Sequence, residues 1–551
     1  MAAAGCLMAQ NPAPTSVQNP ASNILPGLPN FGIAQGSIFV VYGTNLGPST
    51  ISVAPSLPLP TALSGTSIEV SVNGTTVTTP MVYTLDKQVA AVLPSNTPTG
   101  TGTLTVKYNS GSGSTPITVV KSNFGISTVN QTGTGPAVVT FGDYTVVSGT
   151  KSAKAGDTLI LWGTGLGPIT GDDAAAPTPS DLGTPVTVFV GGQQANVVYR
   201  GRSAEPGLDQ INFTVPSGIT GCAVSVVVQT GSMVSNTTTM AIAADNGACS
   251  DPAGISVSAF TPVLSSKGTV SVGVIDLFQN AITINVAGQI INQNFGLGFA
   301  IFDRYTAEEI GGINTLLNRG SLGSCTVSSY STNLNSQPPG SPGSPGSPGS
   351  PGSTTPEPTP LPDVIGLDAG PSVTVTPPSG SPILLKADSN EKGVYQGDVT
   401  AIPAGAYTLS NGTGGADVGA FTKNVTLAAP VQWTNQAAIT GAPIDRTKPL
   451  TLTWTGGDPS TSAFIEGTSS GSTSTTAYGA TFICSAPISA GQFTIPSSIL
   501  LALPPTTTQS PTSFGILTMG SMSAPVQFTA PGLDFGYVLV GGGAGGSVTY
   551  Q

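Results

Sequence analysis

Short apolar stretches alternate with turn residues along almost the whole chain. In residues 67–72, Ile68, Val70 and Val72 fall on one strand face, with Glu69 and Ser71 on the other. That period of two marks a half-buried strand. β-Branched runs bounded by Gly, Pro, Asn or Ser recur down the sequence, and turn signals about every 8–12 residues point to β-sandwiches. One stretch reads differently. Thr306 and Glu309 form a capping box, Ile310, Ile313, Leu316 and Leu317 share a helical face, and Gly320 can end the helix. A short helix near 307–318 is expected in an otherwise all-β chain.

The first half repeats itself. GSIFVVYGTNLGP begins at Gly36, and GDTLILWGTGLGP begins at Gly156, 120 residues later. SIEVSVNG (67–74) then matches PVTVFVGG (185–192), and MVYTLDKQVAAVLP (81–94) matches VVYRGRSAEPGLDQINFTVP (197–216). GTLTVKY (102–108) matches CAVSVVV (222–228). Four blocks in one order predict two sandwiches of the same plan. Tyr42 and Trp162 are expected at equivalent, largely buried sites.

The second copy closely resembles the "Solibacter uncharacterised" repeat domain of acidobacterial secreted proteins, which is related in style to Ig-like IPT/TIG modules. The residues that carry the resemblance are Tyr199 and Gly201 in a Tyr-x-Gly turn, then Gly207, Leu208, Gln210, Ile211 and Asn212, then Val215 and Pro216. It covers roughly residues 30–245. It implies an Ig-like sandwich and an extracellular place, and no activity.

The expected layout follows from these blocks. Residues 1–29 are expected to be a partial signal-like segment and a disordered lead. Residues 30–122 and 123–250 are Ig-like sandwiches, and 251–336 a small β-rich module with the helix. Residues 337–362, QPPGSPGSPGSPGSPGSTTPEPTPLP, read as a Pro/Gly/Ser linker, with too few triplets for a collagen helix. Residues 363–551 form a C-terminal sandwich. In the lead, Met8-Ala9-Gln10 fits a cleavage site, and Ala3-Ala4-Gly5-Cys6 also resembles a lipobox.

Charge narrows the function classes. The 551 residues include 15 Lys+Arg against 26 Asp+Glu, a formal net charge of −11, and no histidine. A chain without His has no Ser-His-Asp triad, no Cys-His dyad and no His-ligated zinc or haem. The acidic balance argues against nucleic acid and anionic membrane as partners. Beyond the lead, no apolar run is long enough for a spanning helix.

Five cysteines stand at 6, 222, 249, 325 and 484, with no CxxC pair. Cys222 opens the run 222–228, and residues 233–242 should return beside it after a turn near Gly231. Cys249 then falls near Cys222, and a disulfide is expected. Cys325 and Cys484 remain, both in strand-like runs. A bond between them would tie the 251–336 module to the C-terminal sandwich.

Chemical motifs are sparse. Gly541-x-Gly543-x-x-Gly546 matches a dinucleotide fingerprint, but only five residues follow for the helix it needs; it reads as a Gly-rich tail. Gly163-Thr-Gly-Leu-Gly167 reads as a turn after a strand. Ser148 and Lys151 have acyl-enzyme spacing, yet Val146-Val147 reads as strand and Gly149 as turn. Paired carboxylates need no His. The candidates are Asp172, Asp173, Asp303, Glu308, Glu309, Asp398, Asp417, Asp458 and Asp534, none in a recognisable signature. Loop carboxylates could also hold calcium, but no EF-hand spacing is present. Trp433 and Trp454 lie in strand-like runs and are candidate sugar platforms.

The reading is a secreted or cell-surface, non-enzymatic structural or binding protein of adhesion type, with no catalytic, cofactor or metal site assigned. Its partner would be an extracellular protein or glycan. The alternative is a carbohydrate-binding or carbohydrate-hydrolysing protein. Two carboxylates facing each other in a cleft beside Trp433 or Trp454 would favour it.

Overall fold

The computed structural model describes residues 11–251, 259–286, 289–306, 320–333, 365–398, 403–427, 431–472, 476–506 and 513–551. The expected helix near 307–318, the 337–362 linker, Cys6, Glu308 and Glu309 lie outside them. The fold is all-β, built of Ig-like β-sandwich modules in tandem.

The first module is two five-stranded sheets face to face. The lead is not disordered over its described part: Ala13–Gln18 is a strand that pairs with Ile38–Thr44 and puts Val17 into the core, so the module begins before residue 30. Strand Thr66–Val72 buries Thr66, Ile68, Val70 and Val72 and turns the residues between them outward. Leu104 and Val106 pair beside Val70 and Ile68. Phe39, Val41 and Val89 from the other sheet complete the core. In the second module, Leu159, Leu161, Ile211 and Phe213 meet Val188, Val190, Val224 and Val226 in the same manner. Cys222 and Cys249 are disulfide-bonded, with Cα atoms 5.1 Å apart. Strand Thr238–Ile242 runs back beside Gly221–Thr230, which carries the chain towards Cys222.

Tyr42 and Trp162 do occupy equivalent positions, in strands Ile38–Thr44 and Thr158–Thr164. Each lies opposite a glutamine, Gln88 or Gln210. Neither is largely buried, however; both are half-buried. Strand alternation explains the correction. Val41 and Leu161 point into the core, so the next residue faces out. The Tyr-x-Gly segment is likewise no turn. Tyr199 and Gly201 lie inside strand Gln193–Arg202, where a Cβ on Gly201 would meet the Ser180 carbonyl oxygen at 1.9 Å.

The described strands of 251–336 pair with C-terminal strands and do not form a module of their own. Strand Thr269–Val286 pairs with Gln289–Thr306 along its whole length and runs parallel to Phe535–Val548 on its other side. Gln289–Thr306 also pairs with Val394–Asp398, and Cys325–Asn333 pairs with Thr476–Pro487. All join one 14-stranded sheet with the C-terminal strands. Two strands of 18 residues expose long rows of peptide groups, and C-terminal partners pair with Val272–Thr283 of one and with Leu297–Ile301, Asp303 and Arg304 of the other. Ile275 and Leu277 accordingly share a core with Val373, Val375 and Leu409. The glycines at 541–546 are central strand, not tail. A Cβ on Gly543 would lie 2.4 Å from the Met519 carbonyl oxygen. One helix had a readable signal that the sequence analysis missed. Thr261–Lys267 has Pro in its first turn, and Gly268 in the left-handed region closes it.

Cys325 and Cys484 sit opposite each other in the ladder and are bonded, with Cα atoms 4.0 Å apart across a sequence separation of 159. The bond thus ties the two sides of the linker within one sheet. Glu466 lies in the same region, on a strand flanked by Thr476–Pro487 and Phe514–Met522. Enclosure there pushes its carboxyl up to about 7.

Two outcomes are expected. Replacing Cys325 and Cys484 together by Ser should cost about 3–5 kcal/mol in urea unfolding, because a long loop is no longer closed in the unfolded chain. With an engineered protease site in 337–362, the cut chain should run as one species in denaturing gels until reductant is added. Separation without reductant would disprove the bond. For Glu466 the folded value lies above the ordinary 4.5. Its contribution is therefore full below about 4.5 and lost as pH rises through about 7. Allowing for its partial exposure, wild type should lose about 2 kcal/mol across that window relative to Glu466→Gln. Parallel stability curves for the two proteins would refute this.

Candidate functional site

The two modules meet at a buried polar junction. In each, an aspartate from the second half closes the turn that follows the aligned strand. The Asn45 N–H donates to Asp86 Oδ1 at 3.1 Å. The Gly165 and Leu166 N–H groups both donate to Asp209 Oδ2 at 2.8 Å. The glycine run 163–167 thus cradles a carboxylate of its own chain, with Gly165 and Gly167 at φ +114° and +126°. Asp209 is 0% exposed and Arg202 1%; Arg202 Nη1 lies 2.8 Å from Asp209 Oδ1. Arg202 Nη2 also donates to the Gly167 carbonyl at 3.0 Å. Burial pushes the Asp209 carboxyl up, while Arg202 and the two N–H groups pull against it.

First-module residues seal this pair. Gly36 packs so close that a Cβ would lie 2.7 Å from Arg202 Nη2. Ser95 donates to Asp173 through its N–H (2.6 Å) and its hydroxyl (2.7 Å). The Ile38 N–H donates to Thr164 Oγ1, which donates to the Gly207 carbonyl. Asparagines extend the lock. Asn123 Nδ2 donates to the carbonyls of Asn30 and Gly32. Asn30 accepts from the Val234 N–H and donates to the Leu501 carbonyl of the C-terminal region. Three parts of the chain meet at that one side chain.

The outer face of the second sandwich is open. Trp162 points outward beside Gln210, whose amide donates to Asn212 Oδ1 at 3.3 Å, and Asn212 lies opposite Tyr199. Trp162 Nε1 donates to Thr140 Oγ1 at 3.0 Å, which fixes the indole. Tyr144 stands beside it at a loop tip, 68% exposed, with ring centroids 6.2 Å apart and planes inclined by 35°. Its backbone has φ +65°, a region that costs a non-glycine residue about 1–2 kcal/mol. In the first module the equivalent set is half-buried as well. Gln88 beside Tyr42 donates to Tyr83, and burial pushes the Tyr83 phenol up to about 12.

The residues singled out from sequence fare differently. Trp433 and Trp454 are 8% and 3% exposed and pair across two strands in the C-terminal core. Their indole N–H groups donate to Asn435 and to the Ile488 carbonyl. They are core residues and offer no platform. Ser148 accepts from the Lys151 N–H in a turn, and the Lys151 ammonium sits 5.1 Å over Phe141, so hydroxyl and amine do not converge.

The carboxylates hold local structure. Asp172 caps Ala174, Asp303 accepts from Tyr305, and Asp458 accepts from Ser460. Asp417 pairs with Lys392 and Asp534 with Lys267. Asp398 is exposed at a strand end. Among the described residues no three His, Cys, Asp or Glu side chains are grouped to hold a metal. A groove of about 280 Å³ by Gln193, Ile219 and Leu322 contains a single carboxylate, Asp251, which accepts from the Cys222 N–H and Ser321.

Sequence reasoning missed Asp209, Arg202 and Tyr144. Asp209 had a signal, since Leu85-Asp86 and Leu208-Asp209 fall in matching blocks. Arg202 has no counterpart in the first copy.

No family model matches the chain, and no curated protein matches its sequence. Solved structures with similarity include domains 5–6 of the S-layer protein SbsC, at 16% identity over 43% of this chain and 100% of that one, with a TM-score of 0.15. Another is the Bacteroides ovatus mixed-linkage glucan utilization locus SGBP-B in complex with a mixed-linkage heptasaccharide, at 10% identity over 89% and 97%, TM-score 0.14. A third is immunoglobulin domains 1–5 of Sidekick-1, at 11% identity over 98% and 100%, TM-score 0.11. At such TM-scores these likenesses carry no function over to this chain.

The junction makes a quantitative prediction. Arg202→Met leaves a buried carboxylate without its cation and should cost about 3–5 kcal/mol in urea unfolding. Asp209→Leu should cost a similar amount, and the double variant less than the sum of the two. Strictly additive losses would show that the pair does not act as a unit.

Proposed function

We propose that this chain is a non-enzymatic extracellular binding protein of adhesion type, in which locked Ig-like modules hold one recognition face in fixed orientation. The observation that carries the reading is the outward-facing ring pair of exposed Tyr144 and half-buried Trp162, on a molecule whose other two tryptophans are core. Two disulfides support an oxidising, extracellular setting. The engagement of the candidate carboxylates in caps and ion pairs supports a binding rather than a hydrolytic role. Membership of the acidobacterial repeat family belongs to the same proposal. Its support is that Gly201 and Gly207 occupy positions where a side chain would collide with a neighbouring strand or the first module.

The test is a panel of extracellular polysaccharides and envelope proteins presented to the full chain. Retention of at least one, with no release of reducing ends or peptides, is the expected result. Product that accumulates in proportion to protein added would overturn the non-enzymatic reading.

A further inference from the structure

We infer that the outer face of the second sandwich, centred on Tyr144 and Trp162 and continued by Gln210, Asn212 and Tyr199, binds a single chain of a neutral polysaccharide. This deepens the binding reading above and rests on it.

The side-chain chemistry selects the ligand class. Aromatic faces take the C–H faces of sugar rings. Amide side chains both donate to and accept from hydroxyls. Here the two kinds alternate across adjacent strands, Trp162 beside Gln210 and Asn212 beside Tyr199. The Trp162 indole is oriented by its bond to Thr140, so its ring is positioned before any ligand arrives.

Charge complementarity points to an uncharged ligand. The residues that make the face, Tyr144, Trp162, Gln210, Asn212 and Tyr199, carry no formal charge. Of the charged groups beside Tyr144, the Lys151 ammonium lies over Phe141 and the Asp143 carboxylate accepts from the Thr145 N–H. These residues present no cation to a uronate or sulfate.

Ring geometry restricts the form of the ligand. Two rings inclined by 35° cannot both lie flat on a crystalline surface. They can contact successive sugars of one twisted chain.

The turn fixes where the second ring stands. Tyr144 takes a left-handed backbone at the tip of a hairpin turn, where its N–H donates to the Phe141 carbonyl and the Phe141 N–H donates to the Thr145 carbonyl. Its side chain is left 68% exposed beside Trp162.

The experiment is affinity electrophoresis of the full chain in gels containing soluble neutral glucan, xylan or mannan, with polygalacturonate as the charged control. At least one neutral polymer should retard the wild type. Trp162→Ala should lose about tenfold in affinity, the order of one aromatic contact. Tyr144→Gly is the decisive variant. It relieves the left-handed strain, so its thermal midpoint should equal or exceed that of wild type while its retardation falls. Wild-type retardation of both variants, retardation by polygalacturonate alone, or no retardation in any neutral gel would each overturn the site. Reducing-end release in the same gels would instead overturn the non-enzymatic reading and leave this site standing.

Discussion

The arrangement of the first half depends on one ion pair that water does not reach. Asp209 is fully enclosed, and it is tolerable there only because a guanidinium and two peptide N–H groups converge on it. Those N–H groups belong to a turn that needs glycine, and Arg202 reaches a carbonyl of the same turn. Gly36 and Ser95 of the neighbouring module then close the remaining approach. A charge pair buried this way adds little net stability, but each partner is costly to lose once the other is in place. It therefore selects one relative placement of the modules rather than merely holding them together. The first module uses the equivalent aspartate, Asp86, at a half-buried turn, where water still reaches the carboxylate and no arginine stands beside it.

The second half is organised by strand pairing across long sequence distances. A hairpin from before the linker is inserted between strands from after it, so neither side is a complete sheet alone. The disulfide joins residues that are already ladder neighbours. It stabilises by restricting the unfolded chain and imposes no new contact on the folded one. A consequence for folding is that the C-terminal strand Phe535–Val548 must arrive before Thr269–Val286 has both its neighbours.

Much of this was legible in residue order, and the failures have a common cause. Period-two alternation located strand Thr66–Val72 and which of its faces is core. Internal repetition placed Tyr42 and Trp162 in register. What alternation does not encode is which distant strand lies alongside. The runs at 269–302 looked self-contained, although their partners lie more than 90 residues away at Val394–Asp398 and beyond. Trp433 and Trp454 were placed correctly in strands, but their shared inward face is set by the strands paired around them. Asp209 has no second carboxylate beside it in the sequence to mark it. Its partner is a glycine turn, and the arginine that neutralises it stands in only one of the two copies. The left-handed backbone of Tyr144 follows from a tight loop between paired strands, which no local propensity of Gly142-Asp143-Tyr144 announces.

The placement of the linker's two ends bears on how this sequence can change over generations. Asn333 and Ile365 are both held in the same sheet, one by Thr476–Pro487 and the other by Gln289–Thr306. The intervening chain has only to connect two points whose positions other residues already set. Loop-closure entropy grows with the logarithm of length, so doubling such a connection costs only about 0.6 kcal/mol. A change in the number of its Gly-Ser-Pro triplets therefore costs little, whereas a single residue added within either anchoring strand would invert every side chain beyond it.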